Sequence, residues 1–310
     1  MYRVSRIEFH LKLDSAGSKG ILVTRSNHQD ISSIHNMMRT HHLLPLVVCL
    51  TLANLTHMFG GTVQLLPEYR EKLFKDVSAF LDKGNVEGAI QYLSTSRAKT
   101  ESRPDVEWPG VMANYEAVVM DLYYKRKDID AVVAVANAGI AFGKKHALKA
   151  PEAMPFLPDL LLSSVKSLSY NLASFCWRGW AEEGIELTDT HQKIGLQAAE
   201  ENLRLAIQLK KPDSAMSNAL WLVGAFHLSA KNFGEADKAF MAARELAGKT
   251  GDPVSKWMNE GYHGLALMGS DSEQGQAVLT RAMTELQALK DGEFFVGQLK
   301  TARRVFFPNH

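Results

Sequence analysis

Eleven histidines, two cysteines and thirty-four acidic side chains supply ligands and bases for several chemistries, so spacing decides which of them is built. His35, His41, His42 and His57 crowd the N-terminal stretch, whereas His146, His191, His227 and His263 each stand alone in a helix or loop. Zinc needs three or four converging ligands, and neither an H-E-x-x-H pair nor a C-x-x-C pair occurs. Cys49 and Cys176 are far apart and make no metal-ligand spacing or disulfide framework. Cys176 lies inside an apolar helical run, which suits a buried structural thiol rather than a nucleophile. Glu182-Glu183 and Glu200-Glu201 are adjacent in sequence, so on a helix the members of each pair diverge and cannot act as an acid/base couple. Phosphate loops of the G-x-x-x-x-G-K-[ST] type and G-x-S-x-G elbows are also missing. The pattern predicts no catalytic centre, no metal and no cofactor. A binding surface is left as the source of function.

The elements that would position such a surface are helical from Pro67 onward. Pro67 suits a first helical turn, and Tyr69, Leu73, Val77, Phe80 and Leu81 form one stripe. Gly84-Asn85 makes a turn, and Val86, Ala89, Ile90 and Leu93 begin a return helix. Met112–Lys125 and the run from Ile129 to Gly139 make a second pair. Asp159–Ala181 is a long aromatic helix, answered by Gln192–Leu209. Asn218–Gly251 turns at Lys231-Asn232-Phe233, and a fifth pair follows Asp252-Pro253. Glu293–Phe307 ends the chain as an amphipathic helix with Phe295, Leu299, Ala302 and Phe306 inward. Three polar or proline-rich insertions, 97–109, 144–158 and 182–190, interrupt this period. Such hairpins cannot bury their apolar faces alone, so they must stack.

Within Asn218–Gly251 the spacing is specific: Gly224 in the first helix, then Phe233, Ala236, Phe240 and Ala243 in the second. This unit resembles a tetratricopeptide repeat, a helix-turn-helix of about 34 residues. It departs from the pattern at Leu220, His227 and Gly248, where tryptophan, tyrosine and proline are usual. The resemblance spans roughly Pro67 to Leu289. It implies an all-α, right-handed solenoid of four or five helix hairpins over 67–309, closed by a C-terminal capping helix. It further implies that first helices line a concave groove that holds a partner protein or peptide. The lining positions are then Asn114, Asp121, Tyr124 and Lys125; Tyr170, Asn171, Ser174, Trp177 and Arg178; and Asn218 and Trp221. Tyr, Trp and Arg are the side chains that most often carry interface energy. The lysine–asparagine grip on a C-terminal carboxylate is not met, because Trp221 and Ala225 occupy its places. The expectation is a non-catalytic scaffold. Two alternatives stand beside it: a small-ligand-binding or hydrolytic solenoid using the three insertions, and a module that self-associates through Phe294–Phe307.

The first 61 residues read differently. Residues 1–36 have no sustained period, consistent with a non-globular extension or a start codon placed too early. Residues 37–61 carry Arg39, the apolar run Leu43–Leu55 and the small residues Thr51 and Ala53, which together suit a secretory signal or membrane anchor. That run is shorter than the ~20 residues of a comfortable span. The expected location is therefore exported or membrane-anchored, with a buried helix in a cytoplasmic protein as the alternative. At a net charge of +1 the chain has no global field for nucleic acid or an anionic membrane.

Overall fold

The computed structural model describes residues 11–13, 19–21, 63–100 and 107–309. The chain divides into two units, Met1–Leu43 and Leu44–His310. In the first, β1 (Leu11–Leu13) pairs antiparallel with β2 (Lys19–Ile21), Leu11 opposite Ile21, a hairpin that the sequence pattern does not announce. The expected signal or anchor over 37–61 lies outside the described residues. Among the described residues no helix is long and apolar enough to cross a membrane.

The second unit is all-helical over its described residues, with eleven α-helices. They are α1 (Pro67–Leu81), α2 (Val86–Thr95), α3 (Glu107–Asp121), α4 (Ile129–Ala147), α5 (Leu157–Cys176) and α6 (Asp189–Gln208). Then follow α7 (Asp213–Ser229), α8 (Phe233–Thr250), α9 (Pro253–Met268), α10 (Ser272–Gln287) and α11 (Gly292–Phe306). Short polar side chains set the starts by accepting orphan backbone N–H groups. Asn85 accepts from Gly88 N at 2.8 Å, Asp128 from Ala131 N at 3.0 Å and Asp271 from Gln274 N at 3.0 Å. Thr188 and His191 cap α6 reciprocally, each side chain taking the other's backbone N–H. The turn between α7 and α8 passes through Lys231 at φ 59°, a left-handed cap that ends α7 and releases Phe233 to start α8.

Each odd-numbered helix packs on the even-numbered helix after it and on the next odd-numbered helix, from α1·α3 through α9·α11. Small residues permit the closest approaches. A Cβ on Gly224 would stand 2.8 Å from the Phe240 ring, and one on Gly264 of α9 would stand 2.6 Å from the Leu279 backbone nitrogen of α10. Ala236, Phe240 and Ala243 are fully buried at the seam so formed.

Two expected boundaries are corrected. The helix expected over Asp159–Ala181 stops at Cys176, because Trp177 adopts an extended backbone (φ −86°, ψ 119°) and a single 3₁₀ turn, Arg178–Trp180, follows. Indole hydrogen bonds replace the helical ladder there: Trp180 Nε1 donates to Ser174 O and Trp177 Nε1 to Ala225 O, both at 2.9 Å. The expected Met112–Lys125 helix begins earlier, at Glu107, and ends in a π turn, Leu122–Arg126, closed by Lys127 at φ 55°.

Candidate functional site

The eleven expected groove residues separate into three groups. Asn114, Ser174, Trp177 and Trp221 are buried, and their side chains or carbonyls hold the fold together rather than face a partner. Asn114 Nδ2 donates to Ser96 O at 3.0 Å, fixing the segment after α2. Trp177 sits among Trp180 (4.8 Å between ring centres), Trp221 (5.7 Å), Phe306 (5.8 Å) and Tyr262 (5.9 Å), so the tip of α11 meets the end of α5 over α7 and α9. Of the expected groove aromatics, Trp177 packs against Phe306 of α11, and Trp221 packs against Trp177, Trp180 and Tyr262.

Asp121, Tyr124 and Lys125 are half-buried or exposed: Lys125 Nζ bonds Asp121 at 2.7 Å and lies 5.1 Å above the Phe74 ring of α1, whereas the Tyr124 ring stands 5.7 Å from Phe175 of α5. The remaining four, Tyr170, Asn171, Arg178 and Asn218, are half-buried on α5, the 3₁₀ turn and α7, within reach of solvent.

Beside α5 the structure holds buried charged residues that the spacing does not announce, Lys166 one turn before Tyr170 among them. Glu116 is the lone charge of α3 between its terminal Glu107 and Asp121, and Lys166 is the lone cation of α5. Burial pushes the Glu116 carboxyl up to about 7, a hydrogen bond with Ser164 opposing in part, and its Oε1 has no hydrogen-bond partner among the described residues. Burial likewise pushes Lys166 down to about 8, with Lys211 adding repulsion. Lys211 itself is lowered by burial, Asp159 opposing in part, and its Nζ donates to Ser163 Oγ at 2.8 Å. Ser163 lies one turn before Lys166 on α5, so both ammonium groups converge on one face of that helix. No carboxylate pairs with Lys166 among the described residues. A solitary charge inside an apolar helix was the available signal, and periodicity alone does not weigh it.

A second feature is a hollow of about 260 Å³ lined by Tyr123, Trp177, Arg178, Ala181, Glu182, Ile185 and Leu187. Of the three insertions only 182–190 contributes to it. Elsewhere two of the lone histidines are tied up locally. His191 bonds Asp130 at 2.9 Å and His263 bonds Asp237 at 2.5 Å. Cys176 is buried, which raises its thiol to about 12 and keeps it protonated. Among the described residues no three His, Cys, Asp or Glu side chains converge as metal ligands. No protein-family model matches the chain, and no curated protein matches it in sequence.

Proposed function

We propose that the chain is a non-catalytic scaffold built as a right-handed, tetratricopeptide-like solenoid, with α11 as its capping helix and a partner protein or peptide held on the odd-numbered helices. The observation that carries this reading is the Lys166–Lys211 pair beside Tyr170. Two desolvated ammonium groups converge on α5 with no carboxylate bonded to Lys166. Like charges held together in a poorly solvated place cost stability, and such local costs cluster at functional sites. An acidic group of the partner would relieve the repulsion, Tyr170 would give apolar contact, and Asn171 and Asn218 would bond its backbone. Odd-to-odd packing among the described helices of the second unit supports the solenoid geometry. The export or membrane tether through Leu43–Leu55 belongs to the same proposal.

The test is affinity capture from source-cell lysate with the whole chain beside a Lys166→Met/Tyr170→Ala variant. A protein held by the first and lost by the second is expected. The variant's denaturation midpoint should be no lower than that of a Tyr170→Ala single variant, because removing Lys166 removes repulsion. Equal retention by both baits would take this face out of the account.

A further inference from the structure

The segment joining α5 to α6 is bent under strain into a chamber. After the Arg178–Trp180 turn, Ala181 takes φ 48°, a left-handed conformation that costs a non-glycine residue about 1 kcal/mol. Gly184, at φ 80°, completes the reversal. The returning strand of loop is pinned to the end of the π turn, where Lys127 and Glu182 form an ion pair. Ile185 and Leu187 then face Trp177 and Tyr123 across the hollow of about 260 Å³. Strain of this kind persists where the surroundings over-determine it, and it concentrates at ligand sites.

The charges around the hollow are unequal in their commitments. Glu182 is already taken by Lys127, and its side chain is only 10% exposed. Arg178 has one carboxylate contact, Nη2 to Asp189 at 3.0 Å, and the Asp189 side chain is 90% exposed, a pairing of little strength in water. Arg178 Nε is buried and has no hydrogen-bond partner among the described residues. A guanidinium presents its donors as a planar fork shaped for a carboxylate. One edge of that fork is therefore poorly used, at the wall of a half-open hollow whose lining mixes polar and apolar groups. A dry apolar cavity of about 150 Å³ holds benzene, so this hollow admits a ring of that size with a short acid arm.

We propose that the hollow binds a small organic carboxylate, its apolar body against Trp177, Ile185 and Leu187 and its carboxylate on the Arg178 guanidinium. The site shares no residue with the Lys166–Lys211 face, so it stands or falls apart from the scaffold reading. Phosphate fits less well, because one guanidinium that already touches Asp189 leaves a second negative charge unpaired, next to the Glu182 carboxylate.

Calorimetric titration of the whole chain with phenylacetate tests this, with 2-phenylethanol as the uncharged counterpart and intrinsic indole fluorescence as a second readout. Saturable one-to-one binding of phenylacetate is expected, weaker by about tenfold or more for the alcohol and in Arg178→Gln. Leu187→Trp fills the chamber and should abolish binding with an unchanged circular dichroism spectrum. It also decides the matter if Arg178→Gln folds poorly. Absence of saturable phenylacetate binding, equal binding of the alcohol, or full binding by Leu187→Trp would each overturn the proposal.

Discussion

Replacing Trp177 with alanine should be among the most damaging single changes available to the second unit. The side chain is 1% exposed, and its indole donates to Ala225 O at 2.9 Å. Truncating a buried tryptophan to alanine costs about 3–5 kcal/mol through lost burial and the cavity left behind. The four ring neighbours at 4.8 to 5.9 Å argue for the upper part of that range. The hydrogen bond adds little, because Ala225 O also accepts from Ser229 Oγ at 3.1 Å and is not orphaned when the indole goes. The expectation is about 4 kcal/mol, a large share of the ~5–15 kcal/mol by which a domain is stable. Urea unfolding followed by far-UV circular dichroism measures it. Trp257→Ala is the internal comparison, since that half-buried ring lies between Lys256 (5.0 Å) and Arg281 (5.3 Å) rather than in the core. It should cost roughly 1 kcal/mol. A Trp177→Ala loss no larger than that of Trp257→Ala would refute the claim that this cluster joins α5, α7, α9 and α11. Phe306→Ala should be coupled to it by about 0.5–1.5 kcal/mol in a double-mutant cycle, because both rings belong to one contact.

Two further perturbations test helix approach and buried charge. Gly264→Ala places a methyl 2.6 Å from the Leu279 backbone nitrogen, so overpacking of about 1–3 kcal/mol should outweigh the helix-propensity gain. In contrast, Gly297→Ala in α11 meets nothing within 4 Å and should raise stability by about 0.5–1 kcal/mol; thermal melts that show the same sign for both would contradict the packing argument. Glu116 gives a pH dependence. Its folded-state value of about 7 lies above the ordinary 4.5, so the folded chain binds a proton that the unfolded chain releases between those values. Its contribution is fully present below the lower value and is lost as pH rises through about 7, a change of at most about 3 kcal/mol. Glu116→Gln should flatten that part of the stability–pH curve and raise stability at pH 8, whereas an unchanged slope would mean that Glu116 is solvated.

Helix pairing was legible wherever the determining contacts are local. Gly224, Ala236, Phe240 and Ala243 meet within one hairpin, and a spacing of three or four residues states their facing directly. The termination of α5 was not legible, because its cause is distant. Trp177 continues an apolar helical stripe in sequence, and only the Ala225 carbonyl, forty-eight residues on, draws its indole out of the helix. Non-local contacts also bury two of the expected groove aromatics. Trp177 and Trp221 carry the residue types of an interface, but Phe306 covers the first and Trp180 and Tyr262 the second, and periodicity gives no information on which distant element will cover a stripe.

What is left outside the aromatic cluster is buried chemistry that composition hides. Lys166 and Glu116 each stand as the only charge in the interior of an apolar helix whose other charges are terminal, and a helix spends stability to place such a group where water is scarce. Packing alone would have favoured methionine or leucine at either position, with no loss of helix propensity. The two charges also fail to neutralise each other: Lys211 is the charged neighbour that bears on Lys166, and Ser164 is the polar neighbour of Glu116. Fold stability therefore gives no account of this pair. Under the proposal above, an acidic group of the partner would offset the cost at Lys166.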